Sequence, residues 1–285
     1  AFSIGISVSN TAITIDELLV VKARTETDKY LASQKTSKME VLSRLPQNRH
    51  GYMAMHGDFK GLMDWGMSFA TKMFENNDET TKKLEQMFAS LKDVEFGEMA
   101  WGFSLVDGDA DAGLVRGYSI SHAKPAAKLR EVTRQMGTAY KMEIPGLKQE
   151  ITVKVDAESY DGLSADLITL KQTFDDEANP AAAMQNMFQE VLYGKNGMVQ
   201  RLVVKEDDVM IQTIGGTGDT MKEALAAYDA TAGTGKSDNQ ESRSGLLEDA
   251  NLVGLVDLPN LAIIGVRAAL ATEKLPMPIP IKAAQ

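Results

Sequence analysis

Three aspartates at alternating positions, Asp107, Asp109 and Asp111, are the residues whose types and spacing best suit chemistry. Alternating carboxylates on a tight loop present several oxygen atoms to one point, as Ca²⁺ requires. The pattern follows the first half of an EF-hand loop, but Ala112 stands where that loop needs glycine and Tyr118 where it needs glutamate. The segment therefore predicts a solvated acidic loop, with a calcium site as the alternative interpretation.

A second set of chemically capable residues is His50, His56 and Asp58, which lie at the ends of a predicted strand. Their positions share parity, so a regular strand would direct all three side chains to one face. A His-x-Asp pair can hold a metal ion or act as an acid–base pair. The simpler interpretation is that these are surface residues at the strand ends, and the alternative is a metal site.

No set of residues predicts covalent or phosphate chemistry. His122 has no accompanying serine in a Gly-x-Ser-x-Gly context, so a hydrolase triad lacks a nucleophile. The glycine-rich segment 214–220 has the form of a phosphate-binding turn, but it lacks the usual lysine. Asp219 also places a negative charge where an anion would bind. We therefore predict no catalytic residue and a capped turn at this segment.

Composition excludes several classes of protein. The net charge is −10 and no Lys/Arg run exceeds two residues, which disfavours binding to nucleic acids and to anionic membranes. The chain has no cysteine, which rules out disulfides, thiolate metal sites and cysteine nucleophiles. No apolar run is long enough to span a membrane. The absence of cysteine favours an extracytoplasmic bacterial protein, periplasmic or secreted.

The elements that must position these residues follow a recurring order of two strands and a helix. Alternating apolar residues and intervening turn residues predict each strand, and apolar residues at helical spacing predict each helix. The predicted strand pairs are Phe2–Ser9 with Ile13–Lys22, Glu95–Val106 with Leu114–Ser121, Glu150–Asp156 with Leu163–Gln172, and Met198–Lys205 with Val209–Ile214. We therefore expect an α+β fold of repeated strand–strand–helix units, with antiparallel sheets and helices packed on one face.

A longer repeat lies across these units. Asn48–Met55 and Asn251–Leu258 share the order Asn, then Gly three residues later, then a strand followed by a helix. This pattern indicates a period of about 200 residues. The predicted divisions are the end of a preceding repeat or edge unit at 1–45, a main α+β domain at 46–245, and the start of a second repeat with an extended Pro-rich tail at 246–285.

The paired strands, together with the Tyr193-Gly194-x-x-Gly197 and Gly215-Gly216 turns, resemble a group of uncharacterised secreted bacterial proteins common in planctomycete-type genomes. Their repeated α+β domains have no assigned activity. The resemblance implies an extracytoplasmic location and carries over no catalytic residue.

Three functional hypotheses follow. The leading one is a non-enzymatic extracytoplasmic protein for ligand binding or for assembly, with a protein partner or self-association. The second is a carrier of an apolar ligand in a cavity between sheet and helices, which the 16 methionines favour because methionine adapts to varied apolar surfaces. The third is a metal-dependent hydrolase at His50, His56 and Asp58. Apart from calcium at Asp107–Asp111, no cofactor is predicted.

Overall fold

A computed structural model describes residues 2–8, 13–73, 78–106, 111–139, 146–175, 181–230 and 249–271. The chain divides into two compact units, the first made of residues 1–35 and 57–88 and the second of 36–56 and 89–285. The predicted Pro-rich tail lies outside the described residues. None of the described helices is long and apolar enough to cross a membrane.

The first unit contains the antiparallel strands β1 (Phe2–Val8) and β2 (Ile13–Leu19). They precede helices α1 (Glu26–Ser33) and α2 (Phe59–Met73), and most of α3 (Asp78–Leu91) belongs to the same unit.

An aromatic pair lies in the contact between helices α1 and α2. The rings of Tyr30 and Trp65 stack with their centroids 5.7 Å apart. The Trp65 indole N–H donates to Thr27 Oγ1 at 3.1 Å. Thr25 begins α1, since its side chain accepts the Asp28 N–H. Trp65 is therefore a packing residue of the first unit.

The second unit is built on an eight-stranded sheet in the order β10-β3-β4-β5-β9-β8-β7-β6, with every neighbouring pair antiparallel. The four predicted hairpins are confirmed, including β1 with β2 in the first unit. The strands of the sheet are β3 (Gly51–Met55), β4 (Glu95–Leu105), β5 (Val115–Lys124), β6 (Leu147–Tyr160), β7 (Leu163–Phe174), β8 (Met198–Glu206), β9 (Val209–Ile214) and β10 (Leu252–Val256).

Helices cover both faces of this sheet, which corrects the expectation of a single helical face. The α+β class itself is confirmed. The helices of the second unit are α4 (Ala126–Ala139), α5 (Ala182–Tyr193), α6 (Gly218–Ala230) and α7 (Leu258–Ala271), with a short 3₁₀ helix at Glu40–Arg44. Strand alternation gives each face its own side chains, and both faces are apolar enough to require cover.

The core face carries the main apolar core, between the sheet and the pair formed by the 3₁₀ helix and α6. Its largest side chains are almost completely shielded from solvent. They come from the 3₁₀ segment, the sheet and α6, and include Met39, Leu42, Leu45, Ile120, Ile211 and Met221. The opposite face, called the groove face here, carries Trp101, Ser119, Ile168 and Gln212 and meets α4.

The two segments that suggested a longer repeat are neighbours in this sheet. Strand β10 pairs antiparallel with β3, so that Leu252 faces Met55 and Val256 faces Gly51. Strand β10 therefore completes one edge of the sheet of the second unit. The predicted divisions at 45 and 245 stay predictions. A strand as short as β10 gains most of its stability from pairing with a neighbour, which here is β3. The repeat itself stays a prediction.

Candidate functional site

The predicted calcium site has one described member. Asp107 and Asp109 lie outside the described residues. Asp111 is exposed, and its carboxylate forms an ion pair with Lys195 at 3.1 Å. Calcium binding at this loop stays a prediction.

The structure does not bring His50 and His56 together. They flank β3, six residues apart, which is about 20 Å along an extended strand. His50 Nδ1 accepts the Leu105 main-chain N–H at 3.1 Å. Asp58 caps the start of α2, where its Oδ1 accepts the Gly61 N–H at 2.8 Å, and its Oδ2 accepts the Ser33 hydroxyl. Among the described residues, no group of three or more His, Asp or Glu could hold a metal ion.

The glycine-rich turn before α6 is shaped by close packing. Gly215 and Gly216 both have positive φ, and a Cβ on Gly215 would lie 2.1 Å from the Val115 carbonyl oxygen. A Cβ on Gly216 would meet the Arg116 side chain at 2.7 Å. Arg116 donates to the Gly113 carbonyl at 2.9 Å. The glycines are therefore required by space and backbone conformation.

Buried tyrosines on the core face have their hydroxyls paired with carboxylates. Burial, followed by the hydrogen bond to Glu158, raises the pKa of Tyr160 to about 12. Tyr118 donates to Glu223 at 2.6 Å, and burial together with this bond raises its pKa well above the usual range. Arg201 donates to Glu158 at 2.8 Å. Phenols with such raised pKa values stay protonated at neutral pH, which suits structural hydrogen bonds better than proton abstraction.

A cavity of about 500 Å³ lies between α4 and the groove face of the sheet, within the second unit. It crosses strands β4, β5, β6, β7, β8 and β9, and α4 contributes two lining residues. The apolar lining residues are Met99, Trp101, Leu129, Ile151, Ile168, Leu170 and Met210. The polar lining residues are Ser119, Ser121, Thr133, Gln149, Gln172, Gln200 and Gln212. This volume lies in the range of small-molecule sites.

None of the described residues that line this cavity is ionisable. This is unusual beside a chain with 25% charged residues. The lining instead combines apolar walls with side-chain amides and hydroxyls, each of which can donate and accept hydrogen bonds. The groove can therefore recognise hydrogen-bonding groups without offering a charge.

A row of polar side chains crosses the middle of the groove. Trp101 is paired with Ser119 across β4 and β5, and Ser119 with Gln212 across β5 and β9. Gln212 Nε2 donates to Gln200 Oε1 at 3.1 Å on the neighbouring strand β8. This bond uses one donor and one acceptor of the amide pair, so the pair keeps further donors and an acceptor for a ligand. The indole of Trp101 stands at one end of the row.

Helix α4 is anchored over the groove by a buried ion pair. Asp166 on β7 is fully buried, and Arg130 on α4 donates to both of its carboxylate oxygens, with Nε at 2.7 Å from Oδ2. Asp166 also accepts the Asp156 main-chain N–H at 3.0 Å, and Arg134 Nε lies 3.4 Å away. Burial alone would raise the pKa of Asp166, but these hydrogen bonds and charges outweigh it and hold the pKa below its usual range.

A second depression of about 370 Å³ adjoins the groove at Gln172, which lines both. It lies between α5 and β7, and it includes Lys171, Lys195 and Glu190. Here charges of both signs are present, in contrast to the groove.

The groove residues were not identified as a site from the sequence. Each of the four glutamines is a polar residue at an alternating position of its strand, which is the usual pattern of a solvated face. They are Gln149, Gln172, Gln200 and Gln212. Only their common position on alternate residues of four strands could have indicated a shared polar row.

Comparison with known proteins gives no match: no family model fits the chain, and neither the curated proteins nor the solved structures show significant similarity to it. The chemistry of the groove is therefore the basis for assigning a function.

Proposed function

We propose that this chain is a non-enzymatic binding protein that holds an uncharged, hydroxyl-rich small molecule in the groove beneath α4. The observation that carries the proposal is the set of residues that line the cavity: seven are apolar and seven are polar, and none of those described is ionisable. Pockets for small ligands commonly combine apolar walls with a few polar groups that fix orientation.

The lining disfavours charged ligands. An ion that enters the groove loses hydration, and the described walls offer no opposite charge in return. A phosphate, a carboxylate or an ammonium group would therefore remain outside the cavity.

The lining also disfavours a purely apolar ligand, which was one of the hypotheses from the sequence. An acyl chain in the groove would remove water from the amides of Gln200 and Gln212 and from nearby hydroxyls without replacing the lost hydrogen bonds. Each polar group left buried and unpaired costs about 1–3 kcal/mol. The further donors that the hydrogen-bonded Gln200–Gln212 pair keeps would be left in this state, and they offset the transfer of several methylene groups, each worth about 0.8 kcal/mol. The seven polar residues of the lining thus favour a ligand that can form hydrogen bonds with them.

A neutral sugar ring meets both requirements. Its C–H face can pack on the indole of Trp101, and its hydroxyls can donate to and accept from Ser119, Gln212 and Gln200. A cavity of about 500 Å³ has room for one or two such rings. We therefore propose a neutral mono- or disaccharide, or an equally hydroxyl-rich molecule, as the ligand class.

We propose binding without turnover because the groove is lined by two serines, and none of its described lining residues is an acid or a base. Activation of a serine hydroxyl needs an adjacent base within hydrogen-bond reach. The extracytoplasmic location expected from the absence of cysteine is part of the same proposal.

Trp101 gives a direct test of binding. The chain has two tryptophans, and Trp65 lies in the first unit, so Trp65→Phe leaves Trp101 as the sole indole reporter. This background is titrated with glucose, cellobiose, maltose and N-acetylglucosamine, and with glucose 6-phosphate and decanol as charged and apolar comparisons. We expect a saturable change of Trp101 emission with at least one neutral sugar and none with the comparisons.

Two variants separate groove binding from a general effect on β9. Gln212→Leu keeps the side-chain size and removes the amide, and it should weaken sugar binding at least about tenfold, the equivalent of one lost hydrogen bond to a buried group. Thr213→Val changes the adjacent residue, which faces the core face, and should leave the affinity unchanged. Binding of decanol without binding of any sugar, or equal affinities for the two variants, would overturn the proposal.

A further inference from the structure

The two outer strands of the sheet differ in how they are protected against pairing. Strand β6 carries Lys148, Glu150 and Lys154 and is interrupted by an irregular register between Lys154 and Glu158. Charges and bulges of this kind prevent a sheet edge from adding a further strand. Strand β10 reads Leu-Val-Gly-Leu-Val, with no charge, no proline and no bulge. Within the described residues, β10 therefore carries none of the protection that β6 has, and the one described pairing on its outer side, between Ser37 and Ala250, lies just before the strand.

The main-chain groups of β10 that face away from the sheet belong to alternate residues. Asp257 N–H donates to the His50 carbonyl at 2.7 Å, and Asn251 accepts the His56 N–H at 2.9 Å. Because hydrogen-bonded and non-bonded pairs alternate in an antiparallel ladder, odd-numbered residues bond to β3. Leu252, Gly254 and Val256 therefore direct their N–H and C=O groups outward.

The side chains of the same residues are exposed. Leu252 is 61% exposed and Val256 is 54% exposed. Gly254 lies between them, and an added Cβ there would meet nothing within 4 Å. Outward main-chain groups and exposed apolar side chains thus occur together on the edge strand. Both are needed for a strand to accept another strand beside it.

We propose that β10 pairs antiparallel with β10 of a second copy of this chain, around a twofold axis at Gly254. In this register Leu252 of one copy faces Val256 of the other, and the three outward residues form about six main-chain hydrogen bonds. Ser37 already pairs with Ala250 on the outer side of the chain just before β10, so the contact between the copies is confined to Leu252–Val256. The two eight-stranded sheets become one continuous sheet.

A second copy suits this edge better than an unrelated strand because β10 is complementary to itself. Apolar residues occupy equivalent positions on both sides of Gly254, and no like charges come together in the twofold register. Isologous contacts of this type are the commonest route to homodimers. The proposal is independent of the groove, since no β10 residue lines the cavity.

The test is the mass of the full chain in solution, measured by light scattering across a micromolar to sub-millimolar concentration series. Val256→Lys places a charge on the pairing edge, as natural edge strands do, and should weaken self-association at least about tenfold. Val155→Lys is the matched control, because Val155 lies on the opposite edge strand and has the same 54% exposure. It should leave self-association unchanged.

Hydrogen exchange locates the interface. In the dimer, the amides of Leu252, Gly254 and Val256 should gain protection, while in Val256→Lys the remaining two should exchange freely. A wild-type chain that stays monomeric throughout the series overturns the proposal. A Val256→Lys variant that dimerises like the wild type, or a dimer without protection at Leu252 and Gly254, overturns it as well.

Discussion

The anchoring of α4 over the groove depends on Arg130, so replacing Arg130 should strongly lower the free energy of unfolding. Asp166 is fully buried and accepts two contacts from Arg130, one main-chain N–H from Asp156 at 3.0 Å and one contact from Arg134 at 3.4 Å. Arg130→Met keeps the aliphatic bulk and leaves a buried carboxylate with half of its partners. Breaking a buried pair from one side costs about 3–5 kcal/mol. Since two partners remain, we expect the lower end, about 3 kcal/mol.

A double variant separates the ion pair from simple packing. Asp166→Leu combined with Arg130→Met removes both charges and keeps apolar bulk, and such replacements are often neutral, so the free energy of unfolding should return to within about 1 kcal/mol of the wild type. Lys128→Met is the matched control on the same helix. It removes the half-exposed Lys128–Glu131 pair, at 3.0 Å, and should cost no more than about 0.5 kcal/mol.

Urea unfolding followed by Trp101 emission measures these changes in the second unit, in the Trp65→Phe background. The reasoning is refuted if Arg130→Met costs no more than Lys128→Met, or if the double variant is as unstable as Arg130→Met alone. A loss in the double variant as large as that in the single would mean that α4 needs the guanidinium for another reason.

The same pair predicts how stability depends on pH. The pKa of Asp166 is lower in the folded chain than its unfolded value of about 3.9, so ionised Asp166 favours the folded state. This contribution is fully present above about pH 4 and is lost as the pH falls through the lower folded value. The stability difference between the wild type and the Asp166→Leu, Arg130→Met double variant should therefore shift against the wild type in acid. A difference that is constant from neutral pH down to acid unfolding would contradict the assigned pKa.

Three further predictions concern single residues of the second unit. Thr213→Val should raise the free energy of unfolding by about 1 kcal/mol in urea titrations, because the Thr213 hydroxyl is buried and has no hydrogen-bond partner among the described residues; a loss of stability would contradict this. Gly215→Ala should lower it by more than about 2 kcal/mol, because Gly215 has φ of +72° and contacts the Val115 carbonyl, whereas Gly254→Ala should cost far less. Tyr160 should titrate near pH 12 in ultraviolet difference spectra compared with Tyr160→Phe, and titration near pH 10 would contradict its bond to Glu158.

Local elements could be predicted well because each depends on residues close in sequence. The hairpin of β6 and β7, for example, is indicated by alternating apolar residues around Tyr160-Asp161-Gly162, and its strands pair across that turn. The helix at 126–139 follows Pro125, where a missing N–H is tolerated at a helix start. In each case the turn residues and the periodicity of apolar residues indicate the same element, and the tertiary structure agrees with both.

The order of the sheet could not be predicted, because it rests on pairings between distant segments. The contact of β5 with β9 joins residues about 90 apart in sequence, and that of β3 with β10 joins residues about 200 apart. The sequence of each strand in such a pair indicates a strand but does not indicate which distant strand it pairs with. The expected single helical face failed for the same reason, since alternation shows that a strand has two faces but not which helix covers each.

The groove shows the same limit at the level of a site. Gln149 and Gln172 are direct cross-strand neighbours, which follows from the β6–β7 hairpin alone. Gln212 joins them in one cavity only after β9 is placed between β5 and β8. The predicted sets at Asp107–Asp111 and His50–Asp58 were chosen because their members are close in sequence. A site assembled from six strands has no such local signal.

The open groove follows from the width of the sheet. Eight strands at about 4.8 Å spacing span about 34 Å, whereas a helix with its side chains is about 10 Å wide. One helix therefore covers about two strands, and α4 cannot close the groove face alone. At the β3–β4 end of that face, Met53 and Phe103 remain 43% and 38% exposed. In the proposed dimer through β10, the equivalent residues of the two copies would lie on one continuous face.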